Sequence, residues 1–463
     1  MNDKTMMIRN KFSGLNVLVV GMGKSGKAAA TVLNELGANV VCQDSATEDS
    51  LDKDFISWMK SKNIKGIFGK APDDPTSFDM FVLSPGVPTD LDFIKSAKDK
   101  GVKVIGELEL AYLITDGKFV AITGTNGKTT TTTLVGEIFS ESGRHTDVVG
   151  NIGNPVVISA LEASHKDWLV AEVSSFQLET TDKFRPCVSS ILNLTPDHLN
   201  RHKTMQAYGE AKAKITTNQT EEDYLVINYD DKECFSLSKY SKANIVPFSR
   251  VKKLEYGAWI YDNKIMVNIS KNSSPIKICD LNELQIIGDH NVENVLVASA
   301  ICICSGIDSK VIGNTIKNFK GVEHRIEPCG EIGGVRYFND SKGTNVDATI
   351  TAIRALKNNI ILIAGGDAKG QKFDELIKEM KGKVKTLILL GRDAKFIEDA
   401  AAHHGYNTII SCKDMNECVQ RAHEIAVEGD YVLLSPACAS WDMYDNYEQR
   451  GRDFKNCVAK IKE

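Results

Sequence analysis

The chain lacks a long apolar run. Its most apolar stretch, residues 296–307, is well short of the roughly 20 residues that span a bilayer, so no membrane insertion is expected. The opening MNDKTMMIRNKF carries charges and no apolar core, which predicts no secretory signal peptide. No CxxC pair occurs among the 11 cysteines, an odd number scattered without a paired framework. That argues against a structural zinc site and a disulfide scaffold, and a reducing cytoplasm is the expected compartment. Cys302 and Cys304 lie inside an apolar run and read as core thiols. An excess of one charge is missing too: 56 Lys+Arg face 61 Asp+Glu, a net of −5. Such balance gives no electrostatic footprint for non-specific binding to nucleic acid or an anionic membrane. There is no short-period repeat, low-complexity tract or Pro-rich linker.

What is present is an ordinary globular composition, 42% hydrophobic and 25% charged, in 463 residues. At about 150 residues per domain this predicts roughly three domains. Apolar strand-like runs alternate with helical patterns. The first unit has strands over 16–20, 39–42 and 80–83, with a helix after Gly26 that stops at Gly37. A second unit begins near Gly106, with strands over 119–122, 168–173 and 190–194 and helices over 128–142 and 204–217. Residues 224–280 carry short β-like runs and read as an accessory sheet. An apolar helix covers 291–304. A third unit starts near Val322, with strands over 335–338, 360–364, 386–390 and 431–435. Alternation of this kind predicts doubly wound parallel sheets, hence an α/β protein.

The most informative local pattern is Gly124-Thr125-Asn126-Gly127-Lys128-Thr129, followed by Thr130, between a strand and a helix. Glycines let backbone N–H groups close around phosphate oxygens, and the helix N-terminus adds a positive dipole end. The lysine supplies a point charge and the following hydroxyl a magnesium ligand. The loop is two residues shorter than GxxxxGK[ST], a variant of the common ATPase loop. A Gly-rich turn with a chance lysine is the bland alternative. The earlier GxGxxG at Gly21, Gly23 and Gly26, with Asp44 ending the next strand, is weaker. It fits a dinucleotide, another nucleotide or phosphate ligand, or merely a tight strand-to-helix turn. Lys24 and Ser25 stand where this turn meets a diphosphate.

Glu172 ends an apolar strand, where a carboxylate is costly unless paired or metal-bound. His198 follows the next strand. Both strand ends face the crevice of the phosphate loop, which makes them candidate magnesium ligands; a buried salt bridge or a capped loop fits the spacing equally. Lys212 and Lys214 lie on the following helix, and spacing alone leaves both as solvated lysines.

The ordered set of motifs GTNGKTTTT (124–132), VVGNIGNP (148–155), AEVSSFQLE (171–179), NLTPDHLNRH (193–202), GDHNVENVLVA (288–298), HRIE (324–327), NDSKGTN (339–345), GGDAKG (365–370) and SPACASWDMYDNYEQRG (435–451) resembles the Mur ligases. These are ATP-dependent amide ligases that build the peptidoglycan stem peptide. The resemblance implies a Rossmann-like UDP-binding domain (1–106), a central P-loop-type ATPase domain with the accessory sheet (107–321) and a Rossmann-like C-terminal domain that closes over the site (322–463).

The implied chemistry is carboxylate phosphorylation followed by amine attack, with ATP as co-substrate and two Mg2+ ions. The NDSKGTN and SPACASWDM motifs favour the branch that joins D-glutamate to UDP-N-acetylmuramoyl-L-alanine over one that adds another amino acid. Carried over residue by residue, the resemblance places Thr129, Glu172 and His198 at magnesium. Lys212 becomes a carbamate that serves as an oxygen ligand. Lys128 and the loop hold the triphosphate, and Asn291, Asn294, Arg325 and Asp340 the base and ribose. Lys342 faces the phosphates. Thr344, Lys369, Ser440 and Tyr447 hold D-glutamate. Lys24, Ser25, Asp44 and Gly86 contact UDP, with Asn151 at the substrate. A soluble cytoplasmic monomer acting on small molecules is the expectation.

Overall fold

Short runs of β-branched and aliphatic residues, each closed by a glycine or polar turn, build three sheets in the computed structural model, which describes residues 3–271, 273–356 and 358–462. The chain forms two compact units. One holds the residues up to Asn282 together with Asn294–Ile316; the other holds Glu283–Glu293 and the residues from Lys317 onward.

The first sheet has five parallel strands: β1 (Asn16–Val20), β2 (Asn39–Asp44), β3 (Lys65–Phe68), β4 (Met80–Leu83) and β5 (Lys103–Gly106). Their order is β3-β2-β1-β4-β5, so the winding reverses between β1 and β4 and opens a crevice at their carboxyl ends. The helix Lys24–Glu35 packs one sheet face through Ala29, Val32 and Leu33. Gly37, at φ +83°, ends it as the sequence predicts, with Ala38 N bonded to Leu33 O at 3.0 Å.

The second sheet has nine strands: β6 (Lys118–Thr123), β7 (Thr146–Gly150), β8 (Trp168–Glu172), β9 (Val188–Ile191), β10 (Tyr224–Asn228), β11 (Asn244–Ser249), β12 (Gly257–Tyr261), β13 (Lys264–Asn268) and β14 (Ile276–Asp280). Their order is β14-β13-β12-β11-β10-β9-β6-β8-β7, so the accessory strands of 224–280 extend this sheet edge-on, and β12 to β14 are an antiparallel meander. The strand read over 190–194 runs instead from Val188 to Ile191. Leu192 N still bonds Thr123 O at 3.0 Å, and the chain then turns away. The helix read over 204–217 is α-helical only over Met205–Ala213 and tightens to a 3₁₀ turn over Lys214–Thr216.

The second unit holds β15 (Glu327–Ile332), β16 (Val335–Asn339), β17 (Ile360–Ala364), β18 (Val384–Leu389), β19 (Ile409–Ser411) and β20 (Tyr431–Leu434). The order is β15-β16-β20-β17-β18-β19, parallel apart from the β15–β16 hairpin. Leu362 and Ala364 pack into one apolar cluster and Ile361 and Ile363 into another, so both faces of β17 are covered. All 11 cysteines are free thiols. Among the described residues no helix is long and apolar enough to cross a membrane.

A buried carboxylate anchors the first unit. Glu109, fully buried on the helix Glu107–Ile114, accepts the N–H groups of Asp182, Lys183 and Phe184 at 2.9, 2.8 and 3.0 Å. An amide in its place offers one acceptor oxygen for three donors. Glu109→Gln is expected to lower unfolding free energy by about 1–3 kcal/mol, read by urea denaturation; an unchanged midpoint contradicts this.

Candidate active site

The phosphate loop is a backbone construction. Gly124 stands at φ +150° and Gly127 at φ +84°. A Cβ on Gly127 would meet Asn294 Oδ1 at 2.5 Å, and one on Gly124 would meet Leu192 Cβ at 2.9 Å, so glycine is required twice. Asn193 latches the loop: its Oδ1 accepts from Thr125 N (3.1 Å) and Asn126 N (2.8 Å), and its Nδ2 donates to Asn126 O (3.1 Å). Asn294 Oδ1 accepts from Thr131 Oγ1 at 3.2 Å, on the helix Lys128–Glu141 that the loop feeds.

Two amines converge on this loop. Lys128 Nζ donates to Gly124 O (2.9 Å) and Thr125 O (2.7 Å). Lys212 Nζ donates to the same Gly124 O at 2.8 Å and lies 4.5 Å above the Tyr208 ring. Lys212 is 1% exposed. Burial, and then the charge on Lys128, hold its amine well below the usual lysine range. The sequence pattern left Lys212 and Lys214 alike; the fold separates them, because Lys214 Nζ is exposed and donates to Glu179 O at 2.9 Å.

Glu172 ends β8 beside this loop, 2% exposed. Its Oε1 accepts from Asn151 Nδ2 at 2.8 Å, and its Oε2 is buried without a hydrogen-bond partner. Thr129, on the first turn of the loop's helix, is 6% exposed, and the neighbouring Thr130 Oγ1 is buried without a hydrogen-bond partner. A bare carboxylate oxygen and threonine hydroxyls are hard donors, a set that fits Mg2+. His198 stands at φ +53°, its ring 4.8 Å from Phe176 and its Nε2 3.4 Å from Asp197 Oδ2.

At the carboxyl ends of β1, β2 and β4 lies a cavity of about 770 Å³ whose walls include Lys24, Ser25, Asp44 and Gly86. Four sequence candidates thus share one crevice, within the size range of ligand sites. Asp44 shapes it: Oδ2 accepts Met22 N (2.6 Å) and Oδ1 accepts Ala46 N (2.9 Å). Lys24 Nζ donates to Gly153 O at 2.6 Å, in the loop that carries Asn151. Arg201 is a tie no pattern announced. Its guanidinium bonds Glu179 at 2.6 Å and the carbonyls of Pro85 (3.3 Å) and Val87 (3.1 Å), which line the cavity.

In the second unit, Arg325 is presented by a strained turn. His324 (φ +64°) and Ile326 (φ +45°) flank it in the left-handed region, rare for a β-branched residue. Ile326 N bonds Asp340 Oδ1 (3.3 Å) and Lys342 N bonds His324 O (3.1 Å), so Arg325, Asp340 and Lys342 form one cluster. Asp340 also accepts Ser435 Oγ at 2.7 Å, and burial pushes its carboxyl up to about 6. Glu323, His324 and Glu327 are spaced as metal ligands, but Lys455 Nζ bonds both glutamates, at 2.5 and 2.9 Å, and supplies the cation. Asn291 Nδ2 donates to Ile287 O at 2.7 Å.

Thr344, Lys369 and Ser440 come from the loops after β16, β17 and β20, which are adjacent strands, and Tyr447 opens the helix that follows the last of these loops. Lys342 Nζ lies 5.4 Å above the Tyr447 ring. Buried Arg450 spans the loops, with Nε to Ser341 Oγ (3.0 Å) and Nη2 to Cys438 O (3.1 Å). Burial lowers its guanidinium to about 10.

Family profiles match in three segments: the Mur ligase MurD-like N-terminal domain over 15–106, the Mur ligase middle domain over 122–302 and the Mur ligase glutamate ligase domain over 324–438. The UDP-N-acetylmuramoylalanine–D-glutamate ligase of Thermoanaerobacter pseudethanolicus is 50% identical over 455 residues, 98% of this chain and 100% of the relative. Its namesake from Clostridioides difficile is 49% identical over 451 residues, 97% and 99% of the two chains. The chain belongs to the Mur ligase family. Among solved structures, the UDP-N-acetylmuramate-alanine ligase of Thermotoga maritima is 20% identical with a TM-score of 0.58, over 96% of this chain and 100% of that one. The pseudomurein peptide ligase type C of Methanothermus fervidus is 19% identical with a TM-score of 0.58, over 97% and 100%. Both share the fold. A Mur ligase is an ATP-dependent, amide-forming enzyme, and so is this chain.

In this Mur ligase the depressed Lys212 amine has a consequence for stability. The unfolded lysine titrates near 10.4, so the unfolded chain binds more protons than the folded one below that pH, and stability rises as pH climbs toward it. Lys212→Met removes that dependence. Urea titrations are expected to find the variant more stable than the parent at pH 7, with the gap narrowing toward pH 10; equal slopes contradict a neutral buried amine.

Proposed function

We propose that this Mur ligase joins D-glutamate to UDP-N-acetylmuramoyl-L-alanine at the expense of ATP, through an acyl phosphate, in the cytoplasm. The observation that carries the reading is the convergence of Lys128 and Lys212 on Gly124 O, beside the bare oxygen of Glu172. Full-length relatives that carry the D-glutamate ligase name support the choice of amino acid.

Residues 1–106 take the UDP moiety in the crevice formed by Lys24, Ser25, Asp44 and Gly86, with Asn151 at the rest of that substrate. Residues 107–321 bind the triphosphate on the N–H groups of Gly124–Thr130. Residues 322–463 take D-glutamate on Thr344, Lys369, Ser440 and Tyr447. Asn291, Asn294, Arg325 and Asp340 serve the nucleoside.

A carboxylate is inert to amines because oxide is a prohibitive leaving group. Its oxygen attacks the γ-phosphorus, the bond to the β-phosphate oxygen breaks, and ADP leaves. Lys128 offsets charge on the transferring group, work that is mostly positioning and electrostatics. Lys342 plays the same part at the acyl phosphate. The amine of D-glutamate then attacks the carbonyl carbon, and phosphate departs with the original carboxylate oxygen. Thr129, Glu172, His198 and a carbamate on Lys212 would hold two Mg2+ ions, which supply further neutralisation of the phosphates. The neutral Lys212 amine is the form that adds CO2, with loss of one proton.

Phosphate release with UDP-N-acetylmuramoyl-L-alanine tests this across D-Glu, L-Glu, L-Lys and meso-diaminopimelate. D-Glu alone is expected to drive turnover, and Lys128→Ala to lower kcat by about 10²- to 10³-fold. No turnover with D-Glu in the parent overturns the reading.

A further inference from the structure

Of the four tryptophans, Trp441 alone is exposed, at 65%; Trp58 and Trp168 are half-buried and Trp259 is buried. It follows Ser440 directly, and Lys369 Nζ lies 4.1 Å above its ring. No hydrogen bond or ion pair engages that Nζ among the described residues.

The juxtaposition is built by backbone. Asp367 N bonds Ala439 O (3.0 Å) and Ala439 N bonds Asp367 O (2.9 Å), so the two loops are tied just before Lys369 and Trp441. Asp442 Oδ2 accepts Arg392 N at 2.8 Å, and Ser440 O accepts Tyr444 N at 2.8 Å, which fixes the turn that carries the indole. Lys369 itself is held at φ +47°, its N–H bonded to Asp367 Oδ1 at 3.0 Å. The nearby carboxylates are already engaged: Arg392 pairs with Asp367 (3.1 Å) and Asp393 (3.0 Å). The lysine is left to the aromatic face.

We propose that Trp441 is a positioning residue for the amino-acid substrate: its indole ring is the resting seat of the Lys369 ammonium, and the carboxylate of an incoming acidic amino acid draws the ammonium off it. The proposal rests on the reading above that Lys369 meets a substrate carboxylate. A cation over an indole is held weakly, and a charge-assisted hydrogen bond to carboxylate is stronger, so an acidic substrate wins the exchange. A neutral amide side chain offers no such gain. The seat keeps a flexible ammonium in place at low cost until an acidic substrate arrives.

The test uses the full-length enzyme with Trp441→Leu, Trp441→Phe and Lys369→Met. Trp441→Leu removes a contact that must be broken on binding, and is expected to lower the KM for D-Glu about 3- to 30-fold, the scale of a cation–π contact of about 0.7–2 kcal/mol. The kcat and the KM for ATP stay within about 2-fold. Trp441→Phe, which retains an aromatic face, keeps the KM for D-Glu close to the parent's. With UDP-N-acetylmuramoyl-L-alanine and a non-hydrolysable ATP analogue bound, D-Glu changes tryptophan emission in the parent and not in Trp441→Phe; Lys369→Met reproduces the change without D-Glu. An unchanged KM in Trp441→Leu, or a D-Glu-silent emission in a parent that turns over D-Glu, overturns the proposal. A parent that never ligates D-Glu defeats the functional reading instead. In that case the emission of Lys369→Met still reports on the Lys369–Trp441 contact, and no change there defeats the seat itself.

Discussion

Two lysine side chains donate to one carbonyl oxygen, Gly124 O, and one of them is sealed from water. Amines that share an acceptor cannot stand far apart, and two like charges in a poorly solvated pocket oppose each other strongly. The pair resolves the conflict by asymmetry. Lys128 stands on the first turn of the helix that the loop feeds, its amine donating to Gly124 O and Thr125 O. Lys212, behind the loop and against Tyr208, is sealed from water, and burial holds its amine well below the usual lysine range. Asn193 and Asn294 brace the loop from two sides, and Glu172, at the end of β8, brings up a carboxylate oxygen that has no hydrogen-bond partner.

Backbone strain is distributed to match. Among the described residues ten non-glycine residues have positive φ, and four are asparagine or aspartate, which tolerate it. The other six are His198, Lys203, His324, Ile326, Lys369 and Ala437. His198, Lys369 and Ala437 lie in loops that follow sheet strands, Lys203 sits between two helices, and His324 and Ile326 lie just before β15. The apolar sheets over-determine these loops, and the strain is retained where side chains must be aimed.

Much of the scaffold was legible because buried parallel strands announce themselves as apolar runs. β1, β4 and β17 occupy the residues read for them. β3, with sequence KGIF and half its residues exposed, gave no such signal, and neither did β15, where Pro328 and Gly330 interrupt the run. Strand β9 stops early for a tertiary reason: Asn193 leaves the sheet to serve the phosphate loop. The glycines of the loop were readable because their requirement is local. The standing of Lys212 was not, since periodicity placed it beside Lys214 and only packing buries one of them; the family resemblance, rather than the spacing, singled it out. Arg201, Arg450 and the pairing of Lys369 with Trp441 depend on contacts between loops distant in sequence, which no short pattern encodes.

Carboxylate activation at this loop, the proposed chemistry, is tested by the fate of one oxygen atom. With oxygen-18 in both carboxylate oxygens of UDP-N-acetylmuramoyl-L-alanine, turnover in unlabelled water with D-glutamate should release inorganic phosphate carrying one labelled oxygen, with the other retained in the new amide. Phosphate without label would contradict an acyl phosphate, and with it the role assigned to the lysine pair.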